Sequence, residues 1–135
     1  LEDVISAKAW TKKCQELHEQ NQNTKLSKIF FEEKVGSLLF DRSIDFEDHE
    51  KLARDEIIKQ TSNALVSLFE LFDNDIFVVG GSMTKSPYDF ISLIDEYINK
   101  NFDFPNRDFP KIQLSKARED SGLLGAALLA LNSEK

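Results

Sequence analysis

A chain of 135 residues, 41% hydrophobic and 30% charged, suits one soluble globular domain with room for a core. Its formal net charge of −7 and its pI near 4.8 argue against a nucleic-acid partner, because such a surface repels phosphate backbones. One cysteine excludes an internal disulfide and a cysteine zinc cluster, and no apolar run approaches the roughly 20 residues of a membrane span.

Nothing at the start reads as a secretion signal, so a reduced, cytoplasmic setting is expected. Opening on Leu1 rather than Met is read as the mark of a processed product or an excised segment.

In residues 3–20, Ala7, Trp10, Cys14 and Leu17 recur at spacings of three and four, which predicts an amphipathic helix. The polar cluster 21–24 reads as a loop. Residues 26–40 suggest one or two short helices, weakened by Gly36. A connection follows at 42–48, and its acidic end, with His49 and Glu50, reads as a solvated helix start.

Ala53, Ile57, Ala64, Leu65, Leu68 and Phe72 keep helical spacing and predict one long helix over 49–72. Asp73-Asn74-Asp75 breaks it. Ile76-Phe77-Val78-Val79 is a short apolar run bounded by turn residues, as in a strand buried on both faces of a parallel sheet.

Gly80-Gly81-Ser82 ends that strand. Ser86 as N-cap, Pro87 at the first position and Asp89 closing the box predict a helix that runs to about Asn101. The segment 102–110, with Pro105 and Pro110, reads as a loop, and 111–116 as a second strand. Asp120 or Ser121 then caps a helix through Leu131 that is apolar almost all round and expected to be buried. Alternating helices and strands predict an α/β domain with a mostly parallel sheet.

Chemistry-bearing residues are few. Glycines beyond a parallel strand let a ligand approach the backbone, though a tight turn explains Gly80 and Gly81 equally simply. Gly122, Gly125 and Ala126 suit close helix packing first and ligand contact second. Glu2 is a carboxylate able to accept from sugar hydroxyls, or a favourable charge near a helix N-terminus. Cys14 lies on the apolar stripe and reads as a buried structural thiol. His18 and His49 are expected at the surface. Trp10 and the phenylalanines read as core. No nucleophile–base arrangement and no Walker-type loop is visible.

Two motifs, in order and well separated, resemble the ROK family. Ile76-Phe77-Val78-Val79-Gly80-Gly81-Ser82 is similar to its adenosine-side motif, with Ser82 where a third glycine is common. The segment 118–127, Arg-Glu-Asp-Ser-Gly-Leu-Leu-Gly-Ala-Ala, is similar to its closing signature. Leu1-Glu2, followed by Ser6, resembles the stretch after the family's cysteine cluster, although Ala7 stands where glycine is usual. The likeness spans nearly the whole chain and is poorest over 21–48.

This resemblance implies that residues 1–135 are a single domain, part of the C-terminal lobe of an actin-like, ribonuclease H-like ATPase fold. It implies ATP with Mg²⁺ as the parent's nucleotide, a sugar substrate and a homo-oligomer. It allows a structural zinc in the parent, whose ligands are not in this chain. Glu2 would hydrogen-bond the sugar, Gly80, Gly81 and Ser82 would border the adenosine pocket, and the helix from Ser121 would brace it from behind. The phosphate-binding loop, the catalytic base and the zinc cysteines would all precede Leu1, so these residues alone are expected to transfer no phosphate. Two other readings stand beside the kinase: the sugar-sensing body of a ROK-type transcriptional repressor, and a non-catalytic interaction domain.

Overall fold

The computed structural model describes residues 5–80, 86–116, 120 and 129–130. Ser6 caps the first helix, α1 (Ala7–Gln20), by accepting a hydrogen bond from the Ala9 amide at 3.1 Å. Its buried stripe is Trp10, Cys14 and Leu17, as the spacing predicts. Thr24 caps α2 (Lys25–Glu33) in the same way, and Lys34, in the left-handed region at φ 53°, ends it. A 3-10 helix (Gly36–Phe40) then lays Leu38, Leu39 and Phe40 into the core.

Gly36 explains the weak signal of this stretch. A Cβ there would collide with the backbone of Trp10 and Thr11, the Thr11 Cα lying 2.7 Å away. The residue is small because the 3-10 turn runs directly over α1. Its carbonyl accepts from the Cys14 thiol at 3.6 Å. Burial pushes Cys14 up to about 12, against the Leu39 backbone hydrogen bond, which lowers it, and with the Glu50 charge, which raises it.

Because the folded thiol titrates higher than the unfolded one, its contribution to stability is complete below pH 9. It is lost as pH rises from 9 towards about 12. Alkylation of Cys14 at pH 8 is therefore expected to be negligible in the folded chain and complete after unfolding, which mass spectrometry reads directly.

The long helix α2 leads to is α3 (Asp48–Phe72). The acidic run does start it, but not as a solvated face: Phe46 and Glu50 are buried, and Glu50 Oε2 accepts from the Glu47 amide at 2.9 Å. The C-terminal half turns a different side inward from the one its spacing suggests. Phe69 is 2% exposed, whereas Leu68 and Phe72 are 38% and 68% exposed. Neither histidine is a free surface group. Both are half-buried: His18 shares a hydrogen bond with Ser27 and stacks on Phe31, and His49 Nε2 is enclosed.

Asp73, at φ 50°, ends α3. Strand β1 (Ile76–Val79) pairs in parallel with β2 (Lys111–Leu114), in register from Ile76 opposite Lys111 to Val79 opposite Leu114. Helix α4 (Phe90–Asn101) makes the crossover that a parallel pair requires. Phe77 and Val79 pack on the core, while Ile76 and Val78 are 43% and 57% exposed. The strand of this two-stranded sheet thus alternates between covered and exposed side chains and is not buried on both faces.

The cap of α4 also differs from expectation. Asp89, not Ser86, accepts from the Ser92 amide. Ser86 instead closes a turn on Tyr88, accepting from its amide at 3.1 Å and donating to its carbonyl at 3.2 Å.

The loop before β2 is tied to the end of α3. The Arg107 guanidinium lies 4.0 Å from the centre of the Phe69 ring and pairs with Glu70 at 3.1 Å and with Asp73. Desolvation lowers Arg107, but these two carboxylates outweigh it and push it up. The result is a helix-rich chain with a small parallel sheet. The closing helix lies outside the described residues except at Leu129 and Ala130, which are helical. Among the described residues no helix is long and apolar enough to cross a membrane.

Candidate functional site

A β–α–β unit presents its loops at the carboxyl ends of its strands, where parallel sheets bind ligands. Here that edge holds Gly80, exposed directly after Val79, and Leu114–Ser115 on the neighbouring strand. The Ser115 amide donates to the Val79 carbonyl at 2.7 Å, so the two strand ends leave the sheet together. Asp73-Asn74-Asp75 ends α3 so that the apolar run can enter the sheet as a strand, and this sets Gly80 at the edge.

Beside this edge lies a cavity of about 90 Å³ lined by Ser86, Pro87, Tyr88, Asp89, Phe90, Ile91 and Leu114. Its walls are mostly apolar, with a hydroxyl and a carboxylate at the rim. Such a lining takes one edge of a flat ring and offers polar groups to orient it. Burial pushes the Tyr88 phenol up, with the carboxylates of Asp41 and Glu33 acting in the same sense, as does a hydrogen bond to Asp41.

Two larger cavities lie elsewhere. One, of about 340 Å³, sits between the end of α4 and the loop before β2, where Asp95, Asp103 and Asp108 stand with Arg107 and Lys111 among phenylalanines. Burial, and then the charge of Asp89, push Asp95 up. The other, of about 260 Å³, separates α1 from α3 and mixes Lys12 and Lys13 with Glu16 and Glu56. Size favours these two, but position favours the first. Both larger cavities mix carboxylates with cations, and neither meets the carboxyl ends of the strands.

Of the site residues read from sequence, Gly80 is described, exposed at the carboxyl end of β1. Gly81, Ser82 and Glu2 lie outside the described residues, as does the start of the closing helix, of which Asp120 alone is described and is exposed. Residues 86–91 and Leu114 escaped the sequence reading, which saw only a helix cap there. The available signal was the pair Ser86 and Asp89, two capping residues three apart, of which only one can cap.

Among the described residues no group of three or more His, Cys, Asp or Glu side chains could hold a metal ion.

No curated protein and no solved structure matches the chain. A family model does: the one described as ROK family matches residues 1–133. That match covers nearly the whole chain, both motifs included, and so the chain belongs to the ROK family.

Proposed function

We propose that the chain is part of the C-terminal lobe of an ATP-dependent sugar kinase that phosphorylates a hexose or an N-acylhexosamine. Membership of the ROK family implies an actin-like fold and points to a sugar kinase or a ROK repressor. The observation that carries the kinase reading further is Gly80, bare and exposed at the carboxyl end of β1 beside a small, mostly apolar cavity.

In this reading Gly80, Gly81 and Ser82 border the adenosine, and the turn at 86–91 with Leu114 forms the wall against which the base lies. The cavity is smaller than a nucleotide, so it takes one edge of the base. The fit is one of shape and polarity: Gly80 is exposed, and the apolar wall suits a ring. Glu2 accepts hydrogen bonds from the sugar hydroxyls. Phosphoryl transfer is positioning and charge stabilisation around the phosphates, a task for residues outside this set. ATP with Mg²⁺, a sugar and a second copy of the protein are the proposed partners.

Exposed apolar residues support a lobe rather than a free-standing interaction domain. Ile76 and Val78 on the open sheet face and Leu71 and Phe72 on α3 are exposed, as expected of surface that the rest of the intact protein covers.

The test uses the intact protein that carries this chain. ATP, Mg²⁺ and glucose or an N-acetylhexosamine are expected to give sugar phosphate. Sugar-dependent release from DNA without turnover would favour the repressor instead. Glu2→Gln is expected to weaken sugar binding by about tenfold, the worth of a hydrogen bond to a charged group, with ATP affinity unaltered. Equal loss of both affinities would remove the assignment of Glu2.

A further inference from the structure

Phe90 joins the small cavity at the strand edge to the helical half of the molecule. It is the first residue of α4, it is buried, and it lines the cavity. Its ring sits in a socket made by two residues far away in sequence. Trp10 of α1 meets it edge-on at 5.1 Å and 67°, and Phe40 of the 3-10 helix lies at 5.7 Å and 46°. Trp10 and Phe40 are themselves edge to face at 4.5 Å and 69°. All three are buried, and such a mutual arrangement leaves little freedom to slide.

The turn before α4 has its own hydrogen bonds, between Ser86 and Tyr88 and from Ser92 to Asp89. These set the shape of the loop but say nothing about where it stands relative to Leu114 on β2. That spacing determines whether the cavity accepts a ring edge. The contact that fixes it must reach outside the loop, and the aromatic socket is such a contact at the loop's last residue.

We propose that Phe90 is a positioning residue for the ligand pocket: held by Trp10 and Phe40, it fixes the start of α4 against the carboxyl edge of the sheet. As the ligand is taken to be the adenosine of ATP, the inference rests on the nucleotide reading given above. The socket also explains why three large rings converge at the one end of α4 that faces the strand edge.

The experiment measures the dissociation constants of ATP·Mg²⁺ and of the sugar for the intact protein and for Phe90→Leu. The variant is expected to bind ATP·Mg²⁺ about tenfold more weakly, as a displaced wall would require, with sugar affinity and the number of binding sites unchanged. Trp10→Phe keeps a ring in the socket and should give a smaller loss in the same sense, about threefold. It stands in if Phe90→Leu fails to fold.

Loss of binding-competent protein with an unchanged dissociation constant would show a structural role only and overturn the proposal. So would an equal loss of affinity for ATP·Mg²⁺ and sugar, or no loss of either. A wild-type protein that binds no ATP·Mg²⁺ would fail the nucleotide reading itself, and is recognised before any variant is made.

Discussion

Gly36→Ala is expected to destabilise the chain by about 3 kcal/mol, the upper end of the cost of overpacking. The melting temperature of the intact protein should then fall by roughly 10 °C. The cause is backbone against backbone. The added methyl would meet the amide of Thr11 and the carbonyl carbon of Trp10, neither of which can rotate away as a side chain would. To make room, the 3-10 helix has to lift from α1. That movement breaks the Cys14 contact with the Gly36 carbonyl and uncovers Leu38, Leu39 and Phe40. Thermal unfolding followed by circular dichroism is the check. A melting temperature equal to the wild type would mean that the 3-10 helix and α1 can separate freely, contrary to the packing described.

Phe69→Ala should cost about 4 kcal/mol, while Phe72→Ala should change stability by less than about 0.5 kcal/mol. Both are phenylalanines in the last turn of the same helix, and the spacing of apolar residues favours Phe72 as the buried one. Phe69 meets Phe104 and Phe109 edge-on at 5.6 and 5.3 Å and carries the Arg107 guanidinium on its face. Removing it empties a site lined by three groups and frees the loop that leads into β2. Phe72 is largely exposed, and its loss removes little. Urea titration of the two variants ranks them. The reverse order would mean that α3 is rotated about its axis from the orientation described.

The error over Phe69 has a physical origin. From Ala64 to Phe72 the helix is apolar on most sides: Ala64, Leu65, Val66, Leu68, Phe69, Leu71 and Phe72 leave only the narrow polar stripe of Asn63, Ser67 and Glu70 to mark the outside. Periodicity then fits two neighbouring faces equally well, and only the loop at 102–110, distant in sequence, selects one. The buried Glu50 escaped for a related reason. A carboxylate in the first turn is a normal exposed cap, and its enclosure depends on the 3-10 helix, which packs against α3.

By itself the sequence determined what local chemistry controls. Apolar spacing placed α1 and the long α3, and short apolar or alternating runs between turn residues placed the two strands. The short run Ile76–Val79 between turn residues was sufficient to predict a parallel strand, with glycine at its carboxyl end as the candidate site. Tertiary structure decided the rest, because those choices lie between alternatives of nearly equal local energy. Ser86 and Asp89 are both good caps, and the turn that Ser86 closes on Tyr88 leaves Asp89 to start α4. Gly36 looks like a helix breaker until α1 is seen beneath it. The cavity wall at 86–91 exists only once Phe90 finds Trp10 and Phe40, whose rings meet because burying them together removes more apolar surface from water than any local arrangement could.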